Sequence, residues 1–340
     1  MRGRVRTRGA MKARSRRTNE AEVAERLRQE ARVLIVTHEA PDGDALGCLS
    51  AMLLMCERLG VACSAYVPGH GPFPREYAFL PRLQAVVRGK PPRFGPETTV
   101  YFLDCASPVR ADSDGFAGMG ERVNIDHHQD NPGYGEWNLV DVSAPSTTLI
   151  LHRIFAAGGY AVDADTASAL YVGLVTDTGR FQYSNTSPEA HRVAAELQEA
   201  GCDVHDVYRR LYERIPVPKV RLVQMMLAHM ELRLEGALVT SWLGNGDFAV
   251  SGADEGHAEG LIDTLRCVEG VVVAALAREQ VRDGRPETKV SLRSIDGSVN
   301  VAEIAHEQGG GGHARAAGLT SDKPVGAVLE WIESSVRARL

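Results

Sequence analysis

The stretch Val33-Leu34-Ile35-Val36-Thr37-His38-Glu39-Ala40-Pro41-Asp42-Gly43-Asp44-Ala45 decides how this chain is read. Its four leading apolar residues form a short buried strand. A tight loop follows, in which Pro41 and Gly43 interleave with two aspartates and turn the backbone sharply. Residues 45–59 then place leucines at Leu46, Leu49, Leu53 and Leu54 and stop at Gly60, the pattern of a helix closed by glycine. Three more apolar runs end in similar residues. Residues 100–103 lead into Asp104, residues 123–125 into Asp126-His127-His128, and residues 174–175 into Thr176-Asp177-Thr178-Gly179-Arg180-Phe181. Hard divalent cations take carboxylate oxygens, and imidazole adds affinity for transition metals such as manganese. Four apolar stems ending in such ligands predict a two-metal hydrolytic site. An aspartate beside two histidines is no packing solution, because charged groups are rarely buried unpaired.

Working outward, short apolar strands at residues 33–37, 61–67, 99–103 and 123–125 alternate with helices at 20–30, 45–59, 146–157, 165–175, 188–200 and 204–213. That alternation predicts an α/β domain with a largely parallel sheet and helices on both faces. Ligands in such sheets bind beyond the carboxyl ends of the strands, where the first three clusters fall. Asp177 belongs at the end of a helix. Ile215-Pro216-Val217-Pro218 marks a boundary. The expected division is a basic disordered tail at 1–18, a catalytic domain at 19–214, a helical linker at 215–236 and a smaller α/β substrate-binding domain at 237–340. Within the linker, residues 219–233 read as one helix. In the last domain, strands are expected at 237–243, 248–251, 271–278 and 288–294, with helices at 259–267, 301–307 and 325–338.

Bulk composition narrows the chemistry. The chain has 340 residues, and 44% of them are apolar, enough for two cores. No apolar run approaches the roughly 20 residues of a membrane span. The six cysteines are scattered without a C-x-x-C pair, which points to reduced thiols and a cytoplasmic protein. Residues 1–17 carry eight Arg or Lys and no acid, so the net charge of −6 leaves about −14 for the rest. Proteins that grip long nucleic acids usually have a basic body, so an acidic one favours small phosphorylated substrates.

A second signal lies near the C-terminus, in Gly309-Gly310-Gly311-Gly312-His313-Ala314-Arg315-Ala316-Ala317-Gly318. Glycines let backbone N–H groups approach an anion closely. A helix starting near His313 would add its positive end, and His313 and Arg315 could add charge-assisted hydrogen bonds.

Together these segments resemble the four motifs of the DHH phosphoesterase superfamily, with Asp126-His127-His128 as the name-giving triplet. The glycine run resembles the GGGH motif of the DHH-associated C-terminal domain. Ser291-Leu292-Arg293-Ser294 resembles that domain's substrate-contacting strand, and Glu303 fits the helix before the motif in a structural role. The resemblance implies that His38, Asp42 and Asp104 hold one ion, while Asp44, Asp104, His127 and Asp177 hold the other. Asp104 would bridge them as a catalytic residue, and His128 would face the substrate phosphate. Two divalent cations are implied, usually Mn2+, with Mg2+ or Co2+ as alternatives. Arg293, Gly310, Gly311, Gly312, His313 and Arg315 would bind substrate.

Within the superfamily, the GGGGH segment argues against the inorganic pyrophosphatases, and the compact two-domain layout looks like the NrnA-like nanoRNases and pAp phosphatases. Such enzymes degrade short single-stranded oligonucleotides to mononucleotides and convert pAp to AMP, with two metals activating a bridging water. A clamp at a fixed distance from the metals would favour about two to five nucleotides. The alternatives are a phosphodiesterase dedicated to linear or cyclic dinucleotides and a non-catalytic nucleotide-binding protein. The resemblance implies no membrane partner, and members are often homodimers. Arg180 and Tyr183 are expected to pack the domain rather than touch substrate.

Overall fold

A computed structural model describes residues 15–340 except Ala117 and Asp283. It divides into two compact units, residues 1–214 and 215–340. In the first unit, β1 (Arg16–Arg17), α1 (Glu20–Gln29), β2 (Arg32–Val36), α2 (Gly43–Leu59), β3 (Ala62–Val67), β4 (Val87–Arg88), β5 (Thr98–Leu103), β6 (Arg122–Asp126) and β7 (Trp137–Val140) come first. Then follow α3 (Thr147–Ala157), α4 (Ala164–Asp177), α5 (Pro188–Glu199) and α6 (Val204–Tyr208). The sheet order is β1-β7-β6-β5-β2-β3-β4, with every pair parallel. The chain runs outward from β2 to β4, returns to β5 and runs outward the other way. The switch therefore falls between β2 and β5, and a crevice opens at their carboxyl ends.

Local chemistry sets the helix ends. Asp42 caps α2 by accepting from the N–H groups of Asp44 and Ala45 at 3.1 Å, and Gly60 closes it at φ 71°. Ser146 and Asp163 cap α3 and α4 through the N–H groups of Leu149 and Thr166. Val33 and Ile35 point into a core shared with α1 to α5, while Leu34 and Val36 point the other way. That second face is covered by Phe94, Ala111, Phe116 and Tyr134 from irregular segments. The expected helices on both faces are thus corrected. Among its described residues the β5–β6 connection carries the short 3₁₀ turns Pro108–Ala111 and Ser113–Phe116 in place of a crossover helix. Residues 1–14 of the basic tail lie outside the described residues. Arg16 and Arg17 add a parallel edge strand beside Trp137 and Asn138, where disorder was expected.

In the second unit, α7 (Val217–Ala228), β8 (Glu231–Arg233), β9 (Leu238–Leu243), α8 (Asn245–Ser251), α9 (Ile262–Leu265), β10 (Val273–Arg282) and β11 (Arg285–Ser294) lead to α10 (Val301–His306), β12 (Gly311–His313), β13 (Ala316–Ser321) and α11 (Val325–Arg337). The sheet order is β12-β13-β11-β10-β9-β8, antiparallel except for β9 with β10. One face packs on α10 and α11, the other on α7 and α9. Three expectations change here. The helix expected over 219–233 ends at Ala228, because residues 231–233 pair with β9. Its Leu222 and Met226 are buried in the second unit's own core. Residues 248–251 belong to helix α8, whose Phe248 packs on that core. The helix at 259–267 shortens to Ile262–Leu265.

Candidate active site

The crevice between β2 and β5 gathers the expected ligands. His38 and Asp42 follow β2, Asp44 lies in the first turn of α2, Asp104 follows β5, His127 follows β6, and Asp177 ends α4. Three overlapping donor groups result, each with ligand atoms within 4.8 Å of one another: His38, Asp42 and Asp104; Asp44, His127 and Asp177; and Asp104, His127 and His128. Asp104 links them. Its Oδ2 lies 3.8 Å from His38 Nε2, and its Oδ1 lies 3.6 Å from His127 Nε2. His127 Nε2 is in turn 3.3 Å from Asp177 Oδ2. All six expected metal ligands thus converge.

The residues around them orient these donors. His38 Nδ1 lies 2.7 Å from the Glu39 carbonyl and 2.9 Å from Arg110 Nη2, so its Nε2 faces Asp104. Burial, with Arg110 in the same direction, pushes the His38 imidazole below its ordinary value against the pull of Asp42, which favours the neutral ligand form. His127 Nδ1 lies 3.2 Å from the Ala144 carbonyl, again leaving Nε2 for the site. Asp104 itself adopts φ 53°, a left-handed conformation that aspartate tolerates better than most residues. Thr147 Oγ1 donates to its Oδ1 at 3.0 Å.

Asp126 has a different task. Its Oδ1 accepts from the His127 backbone N–H at 2.8 Å and lies 2.7 Å from His128 Nδ1, while Asn131 Nδ2 donates to its Oδ2 at 2.5 Å. Burial would lift the Asp126 carboxyl, but its bonds to His128 and Asn131 hold it below the usual range. Burial likewise works to lower His128, yet the carboxylate of Asp126 raises it above the ordinary histidine value. The first residue of the triplet therefore positions the third.

Sequence reading missed what holds Asp44. Both its oxygens accept hydrogen bonds at the start of α3: Thr147 N–H to Oδ2 at 2.6 Å, and Thr148 N–H and Oγ1 to Oδ1 at 3.0 and 2.7 Å. The carboxylate caps that helix while keeping lone-pair capacity for a cation. The hydroxyl run Ser146-Thr147-Thr148 was the available signal. Glycines bring Asp177 close. A Cβ on Gly47 would lie 2.6 Å from the Ala169 carbonyl, and one on Gly173 would lie 2.4 Å from Asp44 Oδ1. Only hydrogen at both positions lets α2 and α4 approach this near. Gly173→Ala is expected to cost about 1–3 kcal/mol of stability and to weaken Mn2+ binding at least tenfold. Thermal unfolding and calorimetric titration check this; wild-type affinity in the mutant would contradict the packing argument.

The donor set fits divalent cations. Burial first, then mutual repulsion, pushes the Asp104 and Asp177 carboxyls well above the ordinary value. Burial also raises Asp44. Such a crowd of acids calls for positive charge among them. Arg180 and Tyr183 lie just beyond; the Arg180 guanidinium sits 5.0 Å from the Tyr212 ring centroid.

The six substrate candidates lie in the second unit. No helix starts at His313: residues 311–313 form β12, in an antiparallel pair with β13. Part of the glycine requirement is steric, since a Cβ on Gly310 or Gly312 would meet the Gly318 or Ala316 carbonyl at 2.3 or 2.4 Å. Because β12 is an edge strand, its N–H groups not paired to β13 remain on the sheet rim. Ala316 pairs with both Arg293 and His313, so those two side chains share a row and a face. Arg293 Nε lies 3.5 Å from Asp263 Oδ1. Arg315, in the turn after β12, donates from Nη2 to the Asp296 carbonyl at 2.9 Å. Glu303 accepts from Asn300 Nδ2 at 3.0 Å, in line with a structural role.

The profile of the DHH family, N-terminal domain, matches residues 32–174, and that of the DHHA1 domain matches residues 239–337. The bifunctional oligoribonuclease and PAP phosphatase NrnA of Thermus thermophilus is 35% identical over 299 residues, covering 88% of this chain and 87% of that protein. This chain belongs to the DHH family. It is a phosphoester hydrolase of that metal-dependent family. The Bacillus subtilis protein of the same name is 26% identical over 224 residues, 65% of this chain and 69% of that one. In fold, the chain matches the crystal structure of an exopolyphosphatase-related protein from Bacteroides fragilis, with a TM-score of 0.84, 21% identity, and coverage of 94% and 96%. Among the described residues, no helix is long and apolar enough to cross a membrane.

Proposed function

We propose that this DHH protein hydrolyses very short oligonucleotides to mononucleotides and converts pAp to AMP, using two divalent cations, with Mn2+ best suited to the mixed carboxylate and imidazole donors. The observation that carries this reading is the set of three overlapping three-residue donor groups joined through Asp104 and His127. The names of the Thermus thermophilus and Bacillus subtilis relatives supply the substrate class. In this reading His38, Asp42 and Asp104 hold one cation, and Asp44, Asp104, His127 and Asp177 the other. Bound there, two cations would lower the pKa of water and neutralise charge on the phosphate oxygens.

The remaining roles belong to the chain's own side chains. Asp104, fixed by Thr147, holds its two oxygens toward opposite donor groups. Asp126 fixes the ring of His128 through Nδ1, and His128 contacts a phosphate oxygen and serves as proton donor for the leaving oxygen. In the second unit, Arg293, His313 and Arg315 bind the nucleotide, with the backbone of Gly311 and Gly312 beside them; the Gly310 N–H, expected to join them, instead donates to the Ala305 carbonyl at 2.9 Å.

The test is a substrate panel with purified protein and Mn2+: pAp, pApA, cyclic di-AMP and a longer single strand. AMP release from pAp and pApA is expected to exceed cleavage of the other two. No metal-dependent release from any of the four would end the proposal, and cleavage of cyclic di-AMP alone would replace it with a dinucleotide phosphodiesterase. A companion expectation separates the units. His313→Ala or Arg315→Ala weakens AMP binding about tenfold, the scale of one charge-assisted hydrogen bond, and leaves metal content intact. Metal loss in either mutant, measured by elemental analysis, would contradict separate sites.

A further inference from the structure

Among the described residues of the second unit, one buried charged side chain lacks a carboxylate partner. Arg278, on β10, is only 8% exposed, its Nε has no hydrogen-bond partner, and no carboxylate among the described residues pairs with it. A buried guanidinium nitrogen without a partner is costly, so an anion is the natural missing partner.

Strand register gives the neighbours of Arg278 on the sheet. Arg278 pairs with Lys289 on β11, and Lys289 with Thr320 on β13. Lys289 and Thr320 are both exposed. Two residues along is the row Ser291, Gly318 and Gly311, and two further is the row Arg293, Ala316 and His313. The period of two puts all three rows on one face of the sheet. The apolar cluster under α7 and α9 takes residues from β9 and β10 but none from β11, β12 or β13, so the outer half of this face is a shallow floor of small residues. It carries basic side chains at both ends, with Asp263 of α9 3.5 Å from Arg293 at one of them. The nearest acid along β11 on this face, Glu287, already accepts from Gln280 Nε2 at 3.2 Å.

We propose that Arg278, Lys289 and Thr320 form a second phosphate-binding row, taking the distal phosphate of a single-stranded oligonucleotide whose other end lies against Arg293 and His313. Four residues separate the two rows along β11, about 13 Å at ~3.3 Å per residue. A stacked strand carries one phosphate per ~3.4 Å of axis, so that span corresponds to about four stacked steps, and fewer when the strand is stretched. The first row alone suffices for a mononucleotide, whereas both are engaged by a strand of about five. This inference rests on the oligonucleotide reading above and adds a determinant of substrate length.

The experiment measures binding to the full chain by fluorescence anisotropy, using a labelled five-nucleotide RNA and a labelled dinucleotide across a salt series. K289Q is expected to weaken the five-nucleotide strand about tenfold, to change dinucleotide affinity less than twofold, and to reduce the salt slope for the longer strand by about 1. R278M is expected to act in the same direction with a larger loss. Because Arg278 is buried, R278M could fail to fold, and K289Q on the exposed floor then decides by itself. Equal losses for both ligands, or no loss with K289Q, would overturn the second row. A wild-type chain that binds the five-nucleotide strand without cleaving it would overturn the hydrolytic reading while the K289Q comparison still judged the row. Failure of the wild type to bind any oligonucleotide would overturn both.

Discussion

Asp104→Asn yields a folded protein whose Mn2+-dependent hydrolysis is lost by at least about a thousandfold, or about 4 kcal/mol of transition-state stabilisation. Asparagine is the informative replacement. It keeps an oxygen for the Thr147 hydroxyl and tolerates the φ of 53° at this position, whereas alanine would add a backbone cost of about 1–2 kcal/mol. What asparagine removes is the negative charge shared by the two donor groups. Removing it also relieves the repulsion that raises Asp104, so the metal-free mutant is expected to unfold at the same or a higher temperature than metal-free wild type. Activity and stability then move in opposite directions, which no simple folding defect would produce. Near-normal metal-dependent turnover in a folded Asp104→Asn would show that the bridging role is wrong.

Stripping cations with a chelator gives the second large effect. Asp44, Asp104 and Asp177 all have carboxyls raised above the ordinary aspartate value, chiefly by burial. Groups raised in the folded state bind more protons folded than unfolded, so the stability they contribute is fully present below the unfolded value of about 4 and is lost as pH rises through the raised folded values. The metal-free first unit therefore loses stability as pH climbs above about 4. Asp126, held low, acts in the opposite sense, and its contribution is lost only as pH falls through its depressed value. Cations replace the missing protons. At a hundred times the dissociation constant, Mn2+ adds about 2.7 kcal/mol, or roughly 5–10 °C for a unit of this size. The gain is expected to be larger at pH 8 than at pH 5, because protons compete for the same oxygens. Calorimetric scans with and without Mn2+ at both pH values measure it. A cation-induced shift that is equal at the two, or larger at pH 5, would mean the acidic cluster is not the binding site.

Much of the site was legible because chemistry and strand ends coincide in the primary order. The run from Val33 to Asp44 names a strand, a turn and two ligands in succession, and Asp126-His127-His128 repeats the device. Neighbours distant in sequence were not legible. Nothing in Thr147 or Thr148 taken alone says that their N–H groups hold Asp44, 103 and 104 residues away. Nor does Gly173 announce that its missing Cβ makes room for that same carboxylate. In the glycine segment the residue types suggested a helix-end cradle, but pairing with β13 made it an edge strand. Local glycine content permits both conformations; only a strand alongside chooses between them.

By itself the sequence determined which side chains are candidates for the chemistry, because ligand types and the period of buried residues are local properties. The tertiary structure alone decided the order of strands about β2 and β5, the approach of α2 to α4, and the row that leaves Arg278 without a carboxylate among the described residues. These are matters of packing between segments far apart along the chain. Shape and register settle them only once a sheet has formed and its helices have closed on it.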